Sequence, residues 1–141
     1  QALEKRPIVL YGDGMQVRDI LFADDLVEAF LLAQANIDTL SGQAFNMGGG
    51  LGNTISLVEL LDLITELQGE RPRVSFSDWR TADQRYYVSD IRRFKAATGW
   101  APKVSARDGI GRLFHWLAEP AVCRFRVNLS KAEGSMRFSL I

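Results

Sequence analysis

An α/β fold, part of which lies outside this chain, is what the sequence predicts, and three observations predict it. Short β-branched runs alternate with amphipathic helical segments. The helical segments carry recognisable start and stop residues. The strands, however, are too few and too short to complete a doubly wound sheet, so the pieces read as one end of a larger protein.

Taken in order, Ile8, Val9 and Leu10 with Tyr11 form a β-type run that stops at the turn signal Gly12-Asp13-Gly14. Residues 17–23 resume a strand. Asp24 is positioned to cap a helix over 25–36, with Leu26, Phe30, Leu31 and Ala33 at inward spacing. A strand is expected over 43–47, closed by Gly48-Gly49-Gly50. Ser56 and Glu59 then form a capping box opening a helix to about residue 68, where Gly69 stops it. Leu57, Leu60, Leu61, Ile64 and Leu67 make its apolar stripe. A strand over 73–76 leads into a polar stretch, and Ser89 can cap a helix over about 90–98 that ends at Gly99. Pro102 holds Ala101 extended. Ser105 caps a last helix to about residue 118, with Ile110, Phe114 and Leu117 inward, before Pro120. From Cys123 onward apolar and polar residues alternate with a period of two, which suggests a terminal hairpin.

The bulk numbers set limits. A chain of 141 residues can bury a core of its own. Seventeen basic and seventeen acidic side chains cancel, so neither nucleic acid nor an anionic membrane is an expected partner. No apolar run approaches the roughly 18 residues that span a bilayer, and a cytoplasmic location is the default. A lone Cys123 and a lone His115 leave no pair for a disulfide and too few Cys and His ligands for a zinc site. His115, among Leu113, Phe114 and Trp116, fits the edge of a core better than a catalytic role. The chain opens at Gln1 rather than Met and reads as a piece of something longer.

Chemistry concentrates in the polar stretch Ser77-Asp-Trp-Arg-Thr-Ala-Asp-Gln-Arg-Tyr-Tyr-Val-Ser-Asp90. Arg80 and Arg85 offer forked donors suited to the paired oxygens of a diphosphate. Asp83 and Gln84 can bond ribose hydroxyls or base edges, while Trp79, Tyr86 and Tyr87 can wall such a site from water. A loop of solvated charges would have the same composition, and from composition alone it is the better reading. The two glycine turns fail the dinucleotide fingerprint, because Val17 and Asn53 stand where a third Gly or Ala is needed. A strand-to-helix turn explains each, with a phosphate nest at the Gly triplet as the minority option. No Tyr has a Lys four positions on, and no G-x-S-x-G element is present.

The second informative segment is Gly12-Asp-Gly-Met-Gln16-Val-Arg18-Asp19, followed by Ala23-Asp24-Asp25-Leu26. Phe45-Asn46-Met47-Gly48-Gly49-Gly50 comes next, then Ser56-Leu-Val-Glu-Leu60, Arg80-Thr-Ala-Asp83-Gln84, Asp90 with Arg93, and Gly99-Trp100-Ala-Pro102. In that order and spacing the chain resembles the C-terminal portion of the extended short-chain dehydrogenase/reductase family, the NAD-dependent nucleotide-sugar epimerases and dehydratases. The likeness covers about residues 7–119. Within the family, the Asn53-Thr-Ile-Ser-Leu57 run and the Asp83 to Asp90 string are most like a CDP-sugar 2-epimerase.

The resemblance implies an extended Rossmann-type parent whose cofactor half is absent here. Residues 1–120 would form the C-terminal nucleotide-sugar-binding portion and 121–141 an atypical tail. Arg18 would contact the substrate diphosphate and Arg80 would clamp it from the other side. Asp83 would accept from the ribose, with Gln16 and Gln84 lining the pocket. The parent would bind a nucleotide-diphosphate sugar, hold NAD through its N-terminal Rossmann half and form a homo-oligomer. This portion alone would bind no NAD and be catalytically silent. Thr81-Ala82 departs from the family's Pro-Gly, which leaves the loop less preset. A UDP-sugar 4-epimerase, a 4,6-dehydratase, or a non-enzymatic module that keeps the nucleotide site remain alternatives. Helices that normally meet the cofactor half should expose apolar surface, with self-association or marginal folding of the isolated chain expected.

Overall fold

A computed structural model of the chain describes residues 1–119; the expected terminal hairpin lies outside them. The architecture is α/β, with two small sheets and helices packed around them. In the first sheet β1 (Ile8–Tyr11) pairs in parallel with β4 (Val74–Ser77), Ile8 opposite Val74. In the second, β2 (Val17–Asp19) lies between antiparallel β3 (Thr54–Ser56) and parallel β5 (Tyr86–Tyr87). The polar stretch therefore leaves one sheet at Ser77 and re-enters the other at Tyr86, which fixes both of its ends.

Helix α3 (Leu57–Gln68) forms as its cap residues predict. The Ser56 hydroxyl accepts from Glu59 N, the Glu59 carboxylate accepts from Ser56 N at 2.7 Å, and Gly69 closes the helix at φ +78°. Helix α5 (Ala106–Ala118) likewise has Ser105 accepting from Asp108 N. Leu61 and Leu63, rather than the whole predicted stripe, are the buried residues of α3.

Four local expectations fail for tertiary reasons. Residues 20–22 leave the strand because β2 stops at Asp19, and α1 (Ala23–Ala35) starts with Phe22 rather than Asp24 at its N-cap. Within α1 the buried residues are Asp25 and Ala29, while Phe30 and Leu31 are each 60% exposed. Residues 43–47 are not a strand; Phe45 and Met47 pack on the core without a ladder. Ser89 does not cap α4 (Arg92–Thr98), which begins two residues later than expected. The short helix α2 (Ile37–Leu40) was not foreseen, nor were β3 and β5.

The main core joins α1, α2 and α4: Ala29, Leu40, Phe94 and Trp100 are buried together. Phe94 takes the edges or faces of Phe45 and Trp100 at 5.5 and 5.6 Å, a geometry that aromatic quadrupoles favour. Asp25 ties this core to the Pro102 segment. Its carboxylate accepts from Lys103 N and Val104 N at 3.1 and 3.0 Å, and its carbonyl accepts from Trp100 Nε1 at 3.2 Å.

Candidate functional site

Of the expected ligand residues, Arg18 pairs with Asp83, while Arg80 and Gln16 each contact Tyr11 at the end of β1. Arg18 stands on β2 with Nη1 donating to Val17 O at 2.8 Å and Nη2 donating to Asp83 Oδ1 at 3.1 Å. Both side chains of this pair keep about a third or a quarter of their surface open, 34% and 26%. Asp83 closes a turn by donating its N–H to Arg80 O at 3.1 Å. The third residue of that turn, Ala82, has φ +64°. Positive φ at this place is the requirement of a type II turn, for which Pro-Gly is the favoured central pair. Thr81-Ala82 thus keeps the turn but without its favoured residues.

Arg80 lays its guanidinium over the Tyr11 ring, 3.8 Å from the centroid. Face stacking occupies the π surface of the cation and leaves its in-plane N–H donors directed outward. Gln16 is buried and donates Nε2 to Tyr11 O at 2.7 Å, while its Oε1 has no partner among the described residues. Trp79 packs on Gly12, where a Cβ would lie 2.6 Å from the indole, and the Arg85 guanidinium lies over the Trp79 ring, 5.0 Å from its centroid. Gly12 is therefore a close-approach glycine with φ +86°, not a phosphate loop.

Some assignments change. Tyr86 and Tyr87 are 61% and 45% exposed as strand β5, so they do not wall the site. Gln84 is exposed in the same stretch. Asp24 stays exposed at the start of α1 without a capping bond, and its neighbour Asp25 is the buried clasp described above. His115 is exposed on α5 rather than lying at a core edge. Sequence reasoning missed Tyr11 as the support of Arg80, because the pairing joins residues 69 positions apart with no local signal.

The Gly triplet answers the question of a phosphate nest. Gly50 N and Ser89 N both donate to Asp19 Oδ2, at 3.0 and 3.2 Å. A Cβ on Gly48 would meet Ser89 and Asp19, and one on Gly49 would meet Ile20 O at 2.0 Å. An internal carboxylate fills the place an external phosphate would take, so these residues do not fit a dinucleotide pyrophosphate. Among the described residues no group of three or more His, Cys, Asp or Glu is placed to hold a metal, and no helix is long and apolar enough to cross a membrane.

Two cavities of about 430 Å³ lie away from this constellation. What the arrangement offers an oxyanion with attached hydroxyls is two partly exposed guanidinium groups and one acceptor carboxylate, with the unpartnered Gln16 amide oxygen buried beneath.

Residues 1–48 match a family model described as the NAD dependent epimerase/dehydratase family. The CDP-paratose 2-epimerase of Salmonella typhi is 39% identical over 111 residues, 79% of this chain and 33% of that protein. The UDP-glucuronate 4-epimerase of Thermodesulfobacterium geofontis is 29% identical over 116 residues, 82% of this chain and 35% of that protein. Among solved structures, MoeE5 in complex with UDP-glucose and NAD superposes with a TM-score of 0.74 at 27% identity, covering 91% of this chain and 39% of that one. The chain thus spans about a third of the length of the curated relatives it matches.

Proposed function

The chain belongs to the NAD-dependent epimerase/dehydratase family, and from that premise we propose that it is the nucleotide-sugar-binding portion of an epimerase acting on a CDP-sugar. The observation that carries the reading is the joining of Arg18, Asp83 and Arg80 through one turn. In the bound protein Arg18 exchanges its bond to Asp83 for a phosphate oxygen, and the outward donors of Arg80 take the second phosphate. Asp83, released from Arg18, accepts from a ribose hydroxyl. Gln16 and Gln84 line the nucleotide.

The exchange is energetically reasonable. A partly exposed ion pair contributes about 0–1 kcal/mol, whereas a hydrogen bond to a charged group contributes about 1.5–3 kcal/mol. The choice of a CDP-sugar over a UDP- or dTDP-sugar rests on 39% identity to the CDP-paratose enzyme against 29% to the UDP-glucuronate 4-epimerase. NAD, the catalytic base and oligomer contacts belong, on this reading, to the N-terminal half of the parent protein.

Titration calorimetry of the full-length protein with CDP and UDP tests the clamp. Arg18→Ala and Arg80→Ala should each weaken binding about 10- to 100-fold, equivalent to about 1.4–3 kcal/mol. Unchanged affinity in both variants rejects the assignment. Equal affinity for CDP and UDP in the wild type would reject base selection while leaving the clamp standing.

A further inference from the structure

Asp19 is a carboxylate to which the function proposed above gives no part. It directly follows Arg18 on β2, and its Oδ2 accepts from Gly50 N at 3.0 Å and from Ser89 N at 3.2 Å. Ser89 lies two residues beyond Tyr87, the residue paired with Arg18 across β2 and β5. That ladder is short. It has two register pairs, Val17 with Tyr86 and Arg18 with Tyr87, and β2 ends at Asp19. The Asp19 side chain takes over where the backbone ladder stops, supplying the acceptor that a longer strand would have offered Ser89 N.

Three segments meet at that one oxygen. β2 carries Arg18, the stretch running to Ser89 carries Arg80 and Asp83, and Gly50 belongs to the loop before β3. The fit is close. A Cβ on Gly48 would lie 2.4 Å from Asp19 Oδ2 and 2.2 Å from Ser89 Oγ, so a side chain there would force the two apart. On its other edge β2 is held by β3, with Asp19 opposite Thr54. Arg18 and Asp83 are 65 positions apart and bonded at 3.1 Å, so their meeting requires the polar stretch to stay docked on β2. A partly exposed ion pair contributes too little to dock a stretch of chain by itself.

We propose that Asp19 is a positioning residue: it holds the end of the polar stretch on β2, so that Arg18 and Asp83 face each other before the ligand arrives. A binding group must be held in its productive geometry by its surroundings, and here the holding group is a carboxylate one residue along the strand. Asp19 acts through Arg18 rather than on the ligand. The proposal rests on the nucleotide-sugar reading above, because that reading gives Arg18 a phosphate to bind. Oδ2 alone accepts both bonds. The role therefore needs an acceptor oxygen rather than a charge, and asparagine can fill it.

Titration calorimetry of the full-length protein with CDP tests the inference. Asp19→Ala should weaken binding about five- to ten-fold, and Asp19→Asn should stay within about two-fold of wild type. In an Arg18→Ala background the Asp19→Ala change should alter binding by less than about two-fold, because the group it positions is gone. A purely structural Asp19 would weaken binding equally in both backgrounds, and that result overturns the proposal. So does unchanged affinity in Asp19→Ala, or an Asp19→Asn variant as weak as Asp19→Ala. Where Asp19→Ala does not fold, Gly48→Ala takes its place, since its Cβ separates the Asp19 carboxylate from Ser89. The same weakening and the same dependence on Arg18 are expected of it, and the absence of either overturns the proposal. Wild-type affinity retained in Arg18→Ala would strike the nucleotide-sugar reading and this inference together. A loss there with none in Asp19→Ala would strike this inference alone.

Discussion

Asp25 and Asp83 are both carboxylates that accept two regions' worth of structure, yet they hold them differently. Asp25 is 3% exposed, and every bond it makes as a clasp comes from groups fixed in the fold: two backbone N–H groups and the Trp100 indole. Asp83 is about a quarter open, and its side chain is bonded to one guanidinium, itself 34% exposed. Backbone donors at a buried clasp have no other partner to turn to, whereas a surface guanidinium can trade a carboxylate for a phosphate at little cost. The difference separates a buried frame from a surface pair that, on the function proposed above, exchanges partners. The positive φ of Ala82 and the unpartnered Gln16 oxygen both fall near the Arg18–Asp83 pair rather than at the clasp.

The contrast can be broken most forcefully by removing each carboxylate. Asp25→Ala leaves the backbone donors of Lys103 and Val104 unpaired while the indole bond to the residue 25 carbonyl remains, and should cost about 2–4 kcal/mol of stability. Asp83→Ala should cost about 1 kcal/mol or less. Urea unfolding of the full-length protein measures both, and equal losses would erase the distinction.

A smaller effect sharpens the exchanging side. Ala82→Gly relieves a left-handed alanine, worth about 1–2 kcal/mol, against a backbone-entropy cost of about 0.5–1 kcal/mol. Nucleotide binding should therefore be kept or improved by a few-fold, while Ala82→Val weakens it. Calorimetry showing both variants equal to wild type would mean that the turn's shape does not matter to the ligand.

The smallest effect is on the frame's pH response. The Ser56 backbone N–H, then its hydroxyl, hold the Glu59 carboxyl below its ordinary 4.5. A carboxyl with a lowered folded pKa contributes stability that is complete above its unfolded value and fades as pH falls through the folded one. The contribution is thus intact above about pH 4.5 and lost in more acidic solution. Glu59→Gln keeps a capping side chain but should flatten the acid limb of the stability profile, as read from thermal melts between pH 3 and 6. The Arg92 side chain, then its backbone N–H, bring Asp90 from 3.8 to about 2, so any share from that exposed pair disappears only at still lower pH.

The sequence by itself determined the capped helices, the turn glycines at 12, 69 and 99, and the set of charged residues that meet at the candidate site. Those features are written in neighbours: a Ser three residues before a Glu, or a Gly where φ must be positive, acts within one turn of chain. Only the tertiary structure decided that residues 43–47 lack a strand partner and that Tyr86–Tyr87 gain one. It also assigned Asp25 to a loop more than 75 residues away and set Arg80 on Tyr11. A ladder, a clasp and a cation on an aromatic face each need a partner brought from far along the chain, and no local pattern of residues can record which partner arrives.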